Sequence, residues 1–340
     1  MQTEKIDIIS GDRQAGIARA AKLLADGGIV AIPTETVYGL AASAYDGDAI
    51  DRVFKAKGRP QNNPLIVHIS DFDMINDVAA NIPDTARVLA EKFWPGPLTM
   101  VLKKKDTVAK SVSRGLDTVA IRMPASLTAR EIIRAAGVPL AAPSANISGR
   151  PSPTTAAHVL NDLDGRVDGI VIGEDCAVGV ESTVVSLAGT PSRLLRPGAV
   201  TAEQLREFLP DLVIDRAVLS KPEKDVPVAS PGMLYKHYAP STETFLVEGD
   251  SGKFTDFLNS KENCAAICFV EDLPYLKCKK LPYGQKNDKE TLAKNLFGVL
   301  READKLGTDT LYIHAPDLDG IGLAIYNRLI RAAAFKVIKL

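Results

Sequence analysis

The 340-residue chain is long enough for two domains of ordinary size, and with 46% hydrophobic and 24% charged residues it has a globular make-up. Its 41 Lys and Arg nearly balance 42 Asp and Glu, leaving a formal charge of -1. That balance excludes the global basic field that steers proteins onto nucleic acid, so any polyanion site must be local.

The opening "MQTEKIDIISGDRQ" has neither a secretory apolar core nor an Arg/Ser-rich transit pattern. No apolar run approaches the length needed to cross a bilayer, so the expectation is a cytoplasmic protein with no membrane partner. Residues 15 to 28 place Ile17, Ala20, Ala21 and Leu24 on one helical face and end in a glycine pair suited to a C-terminal cap. "IVAIP" (29 to 33) then reads as a strand. Further strands are "PLIVHI", "LTMVL", "VAIRMP", "VPLAAP", "GIVIG", "STVVSL" and "RLLRP". Helices such as "LTAREIIRAAG" lie between them; there Thr128 and Glu131 have capping-box spacing, and Gly137 and Pro139 mark the stop. Thr201 and Gln204 form a second such box. Strands outnumber helices and are often consecutive, which favours a large mixed α/β sheet.

The character changes after about residue 215. Residues 220 to 242, "SKPEKDVPVASPGMLYKHYAPST", carry four prolines and no periodicity. Beyond them "ETFLVEG", "NCAAICFV", "TLYIHA" and "FKVIKL" read as strands. Helices "GKFTDFLNS", "DKETLAKNLFGVLREADKLG" and "GIGLAIYNRLIRAA" alternate with them, as parallel pairing by right-handed crossovers requires. The expected division is 1–215, a proline-rich linker or lid at 216–241, and a Rossmann-like domain at 242–340.

Cys176, Cys264, Cys268 and Cys278 form no CxxC pair and have no histidine near them in sequence, so they read as free thiols rather than a zinc site. The chain has no GxxxxGK(S/T) loop, GxGxxG, HExxH or GxSxG. Nucleotide binding must therefore use a different cradle.

Polar residues gather at strand ends and in proline-bounded loops, where scaffolds present functional groups. "IPTETVYGL" offers the Thr34 and Thr36 hydroxyls, with Glu35 solvated if this is an ordinary turn. In "FKAKGRPQNNPLIVHI", Lys57 and Arg59 alternate about Gly58 so that both cations converge on one anion, with polyphosphate as the natural guest. His68 follows inside an apolar run, where core packing is the commoner role. Arg122 in "VAIRMP" needs an anionic partner, either a structural carboxylate or that of a substrate. "AAPSANISGRPSPTTAAHV" interleaves Ser144, Asn146, Ser148 and Ser152 with Gly149 and prolines, and leads to a helix N-terminus near Thr154 that favours phosphate. Ser182 and Thr183 enter one strand and Arg196 leaves another. Together these pieces suit one concave site for a polyphosphate and a small zwitterion.

In the same order, "PTETVYGL", "KGRP..NPLIVHI", "WPGPLT", "DTVAIRMP", "APSANISGRPSPT", "GVESTV" and "LLRPG" resemble the YrdC-type domain. "SPGMLYKHYAP" and the Rossmann-like tail are similar to the long, two-domain threonylcarbamoyl-AMP synthases. The family signature KxR…SxN falls on Lys57, Arg59, Ser144 and Asn146, which the resemblance makes the catalytic set. It implies a large twisted mixed N-terminal sheet with helices, plus the smaller parallel domain. The implied reaction joins L-threonine, bicarbonate and ATP, with Mg²⁺ on the phosphates rather than on protein ligands. The products are L-threonylcarbamoyl-AMP and pyrophosphate, for modification of the adenosine next to the anticodon in tRNAs reading codons that begin with A. By motif position, Thr34, His68, Arg122, Ala142 and Ser182 would surround threonine. Lys57, Arg59, Asn63, Thr118, Ser144, Asn146, Ser152, Arg196 and Tyr235 would surround ATP, with Tyr235 closing over the nucleotide. Implied partners are the small substrates, a downstream threonylcarbamoyl-transfer machinery and a weak tRNA contact. Two rivals are a carbamoyl-adenylate-forming carbamoyltransferase, disfavoured by the missing cysteine-rich zinc modules, and a double-stranded RNA or tRNA-binding module, disfavoured by the neutral charge.

Overall fold

The structure, a computed structural model, describes residues 2–60, 63–220 and 238–340. Strand β1 (Glu4–Asp7), helix α1 (Arg13–Ala25), β2 (Val30–Ile32), β3 (Gly39–Ser43) and α2 (Gly47–Lys57) open the chain. They are followed by β4 (Ile66–His68), α3 (Ile75–Val78), α4 (Asp84–Phe93), β5 (Leu98–Lys103), α5 (Lys110–Ser113), β6 (Thr118–Arg122), α6 (Leu127–Ala136) and β7 (Leu140–Ala142). Then come α7 (Ala156–Leu163), β8 (Gly169–Ile172), β9 (Thr183–Ser186), β10 (Arg193–Arg196), α8 (Ala202–Arg206) and β11 (Val213–Ile214). Among the described residues these strands form one mixed sheet of 11, in the order β1-β8-β2-β3-β7-β4-β6-β5-β9-β10-β11.

The C-terminal unit contains β12 (Glu243–Glu248), α9 (Ser251–Asn259), β13 (Cys264–Phe269), β14 (Lys279–Gly284), α10 (Lys289–Ala303), β15 (Thr310–His314), α11 (Gly322–Ala332) and β16 (Val337–Lys339). Its sheet runs β14-β13-β15-β12-β16, and every pairing is parallel. The crossovers between these parallel strands place α9 on one face, with Phe254 and Leu258 against Val247 and Cys268. They place α10 and α11 on the other face, against Leu246, Ile267 and Ile313.

The expected large mixed sheet and smaller parallel sheet are both present, with local differences. The capping box read at Thr128 is absent. Ser126 is the N-cap of α6, and its hydroxyl accepts from the Ala129 amide, while Thr128 lies within the first turn and donates to Glu174. The box at Thr201 and Gln204 does form. Four strands fall outside those read from the sequence, and one of them, β11, is only two residues long. β1 is polar, β3 is built of small residues, and β14 contains Pro282, which the sheet tolerates because β14 is an edge. Cys176, Cys264 and Cys268 are buried, Cys278 is half-buried, and all four are free thiols. Among the described residues no helix is long and apolar enough to cross a membrane.

The two units share a continuous apolar boundary. Val37, Val180 and Tyr238 pack into the cluster built on α10 and α11. A Cβ at Gly179, whose φ is +80°, would lie 2.3 Å from the Lys294 Cα. The loop entering β9 thus rests backbone-to-backbone on α10, an approach that only glycine permits.

Candidate active site

The central strands set up the site by simple alternation. Ile66 and His68 are two residues apart and share a face of β4, while Val67 between them joins the main core. His68 is in register with Arg122 at the end of parallel β6. On the same side Ile66, Val101, Ala120, Val184 and Leu195 form a small apolar floor. Over it opens a cavity of about 750 Å³, including the solvent at its mouth. Its lining brings together Thr34, Lys57, Arg59, His68, Arg122, Ala142, Ser144, Asn146, Ser182 and Arg196.

At one end stands the Lys57–Arg59 pair. Helix α2 is started by Asp46, which accepts from the Asp48 and Ala49 amides, and it stops at Gly58 in the left-handed region, φ 60°. Only this turn of the chain lets the last helical residue and Arg59 face one cavity. Lys57 is 2% exposed, and its Nζ donates to the Ser144 carbonyl (2.5 Å), the Asn146 carbonyl (2.6 Å) and Asn146 Oδ1 (3.3 Å). Burial, then the Arg59 charge, push its pKa well down. Three oxygen acceptors nonetheless use all three N–H donors of the ammonium form. Ser144 donates to Asn146 Oδ1 (2.5 Å), and Asn146 Nδ2 donates to the Ile147 and Arg150 carbonyls. Lys57, Ser144 and Asn146 therefore form one closed network that shapes the loop after β7. Arg59 is different. Burial lowers its pKa to about 10, and its Nε has no hydrogen-bond partner among the described residues. It is a cation with donors to spare.

At the other end, Arg122 is 3% exposed and already engaged. Its Nη2 lies 2.6 Å from Glu35 Oε1, its Nη1 donates to Thr36 Oγ1 (2.7 Å), and its Nε donates to the Gly96 carbonyl. Glu35 is thus not the solvated residue of an ordinary turn. Burial raises its pKa, but the Arg122 charge and hydrogen bonds outweigh that and leave it lowered. Thr34 donates to the Val37 carbonyl (2.6 Å), fixing the tight turn before β3. His68 is 6% exposed with Nδ1 3.2 Å from the Ile66 carbonyl. Burial and the neighbouring Arg122 depress its pKa to about 3, so it is a neutral imidazole.

Between the ends, Ser182 Oγ lies 2.7 Å from Thr99 Oγ1 and accepts from Arg196 Nη2 at 3.1 Å. Burial lowers the Arg196 pKa to about 10. Some motif residues are near the cavity but not on its lining. Asn63 is buried with Oδ1 unpartnered among the described residues, and Ser152 is buried with its hydroxyl on Glu181 Oε1 at 2.6 Å. Thr118, at the start of β6, is half-buried and pairs in register with Lys103. Thr155, not Thr154, caps α7, and its hydroxyl occupies that helix N-terminus. Tyr235 lies outside the described residues, as does most of the expected lid. Tyr238 is described; it lines the cavity and packs on Phe297 with ring centroids 5.1 Å apart.

Sequence reasoning missed Glu35 and Glu181. Each sits inside a hydroxyl-rich motif beside a residue it did single out, Thr34 in one case and Ser182 in the other. A carboxylate next to such hydroxyls, in a chain whose other motifs are cationic, was the available signal.

A Sua5/YciO/YrdC family model, described as telomere recombination, matches residues 22–198. A second model, described as threonylcarbamoyl-AMP synthase, C-terminal domain, matches residues 200–334. The chain is similar to the threonylcarbamoyl-AMP synthase of Pyrococcus abyssi, 43% identical over 94% of both chains. It is similar also to that of Bacillus subtilis, 42% identical over 95% of this chain and 94% of the relative. The crystal structure of P. abyssi Sua5 complexed with L-threonine superposes with a TM-score of 0.90 at 38% identity, covering 100% of both chains. The chain belongs to the threonylcarbamoyl-AMP synthase family.

Proposed function

We infer that this chain is the enzyme that joins L-threonine, bicarbonate and ATP into L-threonylcarbamoyl-AMP and pyrophosphate, for threonylcarbamoyl modification of tRNA. The observation that carries the reading is charge. One cavity gathers Lys57, Arg59, Arg122, Arg150 and Arg196 in a chain of net charge -1, and among the described residues Glu181 is the one carboxylate on its lining. Such a surplus fits a polyphosphate and a carboxylate together.

The chemistry asks for positioning rather than for a strong base. The threonine amine and bicarbonate give a carbamate and water. A carbamate oxygen then attacks the α-phosphorus, the bond to the bridging oxygen breaks, and pyrophosphate leaves. The nucleophile is already anionic, so cations that hold it against a tetra-anionic nucleotide supply most of what is needed. We place the phosphates at Arg59, Arg196 and the loop held by Lys57, Ser144 and Asn146, with Asn63 and Ser152 behind them. The threonine carboxylate goes to Arg122, exchanging with Glu35, and its amine and hydroxyl go to Thr34, His68, Ser182 and the wall at Ala142. Mg²⁺ arrives with ATP. Among the described residues no group of three His, Cys, Asp or Glu side chains could hold a metal ion, and Glu181 is already engaged on both oxygens.

The product is a mixed anhydride that water attacks, so its consumer must be a threonylcarbamoyl-transfer machinery acting on tRNA close by; any tRNA contact of this chain itself is weak at this net charge. Free thiols and the need for ATP and tRNA suit the cytoplasm. We divide the chain into 1–215, a connector at 216–241 and 242–340, supported by the change from the mixed to the parallel sheet. The test is pyrophosphate release. It should require threonine and bicarbonate together; release independent of either, or none at all, would overturn the reading.

A further inference from the structure

Among the described residues Arg328 is the largest fully buried side chain, and it belongs to α11 of the C-terminal unit. Within α11 its Nη1 donates to Asn327 Oδ1 (3.0 Å) and to the Ala324 carbonyl (3.4 Å), and its other hydrogen bonds cross to the first unit. Its Nε donates to Glu181 Oε2 (2.9 Å), its Nη2 to the Glu181 carbonyl (3.2 Å) and its Nη1 to the Pro197 carbonyl (2.7 Å). All three acceptors lie in the first unit, on the segments that carry Ser182 and Arg196. A second tie runs parallel. Arg301 of α10 grips Asp162 Oδ2 (2.9 Å), and Asp162 also holds Arg150 of the cavity wall.

Glu181 needs explanation on electrostatic grounds. A carboxylate on the wall of a polyphosphate site repels its ligand, and this one is only 6% exposed. Burial alone would raise its pKa; the Arg328 charge, then Arg196, overcome that and hold it at about 2. Its other oxygen accepts from Ser152. The charge is thus neutralised from behind, by the other unit.

We propose that Arg328 is a positioning residue for the nucleotide half of the site: by docking, the C-terminal unit cancels the Glu181 charge and fixes the Ser182–Arg196 wall, which tunes the cavity for ATP. This rests on the reading that the cavity takes a polyphosphate. It assigns the C-terminal unit a part in the reaction that the unit's own sheet does not show. At fixed geometry, an unneutralised Glu181 would add a negative charge beside the phosphates in a water-poor site, where Coulomb interactions are strong. L-threonine, held near Arg122 and His68, should feel it far less.

The test measures ATP and L-threonine binding separately, by calorimetry on the full chain. Arg328→Met should weaken ATP at least tenfold and L-threonine less than threefold. Arg328→Lys, which keeps the charge, should stay within about threefold of the parent for both. Glu181→Gln with Arg328→Met removes the charge together with its neutraliser, and should recover most of the lost ATP affinity. A double variant as weak for ATP as Arg328→Met would overturn the proposal, as would equal losses for threonine and ATP, because either outcome describes a merely structural strut. If Arg328→Met does not fold, the Lys and double variants decide alone. Failure of the functional reading looks different: there the parent protein itself binds no ATP.

Discussion

The two sheets treat buried charge in opposite ways. In the C-terminal unit His314 and Asp272 are wholly buried and satisfy each other, Nδ1 to Oδ2 at 2.7 Å. His314 Nε2 lies 3.1 Å from the Gly249 carbonyl, and its ring stacks on Phe254 at 4.1 Å. Asp272 Oδ2 also accepts from the Phe269 amide, and Oδ1 is the one atom of the pair without a hydrogen-bond partner among the described residues. In the first unit Lys57, Arg59, Arg122 and Arg196 crowd one cavity wall whose carboxylates are Glu181 on the lining and Glu35 beside it. Burial depresses Lys57, Arg59 and Arg196, and Arg59 keeps an unpartnered donor. A closed buried pair is architecture; a surplus of one sign inside a cavity is a binding site.

The sharpest way to break this contrast is to remove one member from each side. Lys57→Ala should lower threonine-dependent pyrophosphate release by roughly a hundredfold to a thousandfold, the cost of losing one preorganised charge-stabilising group. It should also lower the melting temperature, because the Ser144 and Asn146 oxygens lose their donor. Turnover within a few fold of the parent would remove Lys57 from the reaction. His314→Ala should do the reverse. Stability should fall by about 3–5 kcal/mol, because the Asp272 carboxylate is left buried without its partner, while turnover per folded molecule stays unchanged. Chemical denaturation and active-site titration separate the two numbers.

Arg122→Lys sharpens the comparison at the threonine end. It keeps the charge but loses the fork that reaches Glu35, Thr36 and Gly96, so the KM for L-threonine should rise about tenfold to a hundredfold, as loss of one or two charged hydrogen bonds predicts. The KM for ATP should move little. A parallel rise in both would mean that Arg122 only holds the sheet together.

The smallest effect is in pH. His68 and His158 have folded pKa values of about 3 and about 4, below the ordinary 6.5, mainly through burial. The unfolded chain therefore binds more protons, so stability is full above about pH 6.5 and declines as pH falls toward those values. Denaturation midpoints at pH 7, 6 and 5 should drop progressively, and His68→Gln should flatten the drop. The activity profile should show no inflection from His68 between pH 5 and 8, because it is neutral throughout.

Much of the first unit was legible because its strands are short apolar runs fenced by Pro and Gly. "PLIVHI", "LTMVL" and "RLLRP" became β4, β5 and β10. The crowding of cations near Gly58 was legible too, because net charge near zero made a local excess stand out. What could not be read was α2. Its helix ends at Lys57, and nothing in "FKAKGRP" says whether the lysine finishes a helix or opens a strand until Gly58 adopts its left-handed turn. The Thr128 box failed for a related reason, since capping depends on which residue has the extended ψ, and that was Ser126.

The amino-acid sequence by itself determined the alternation of elements, the two kinds of sheet and the roster of cations and hydroxyls, because these follow from residue type and short-range spacing. Tertiary structure alone decided the pairings. Glu35 meets Arg122 across 86 residues of chain and Glu181 meets Arg328 across 146, where no local pattern can choose a partner. Those contacts arise only when the sheet closes and α11 docks, and they decide which buried charges are spent and which remain for a ligand.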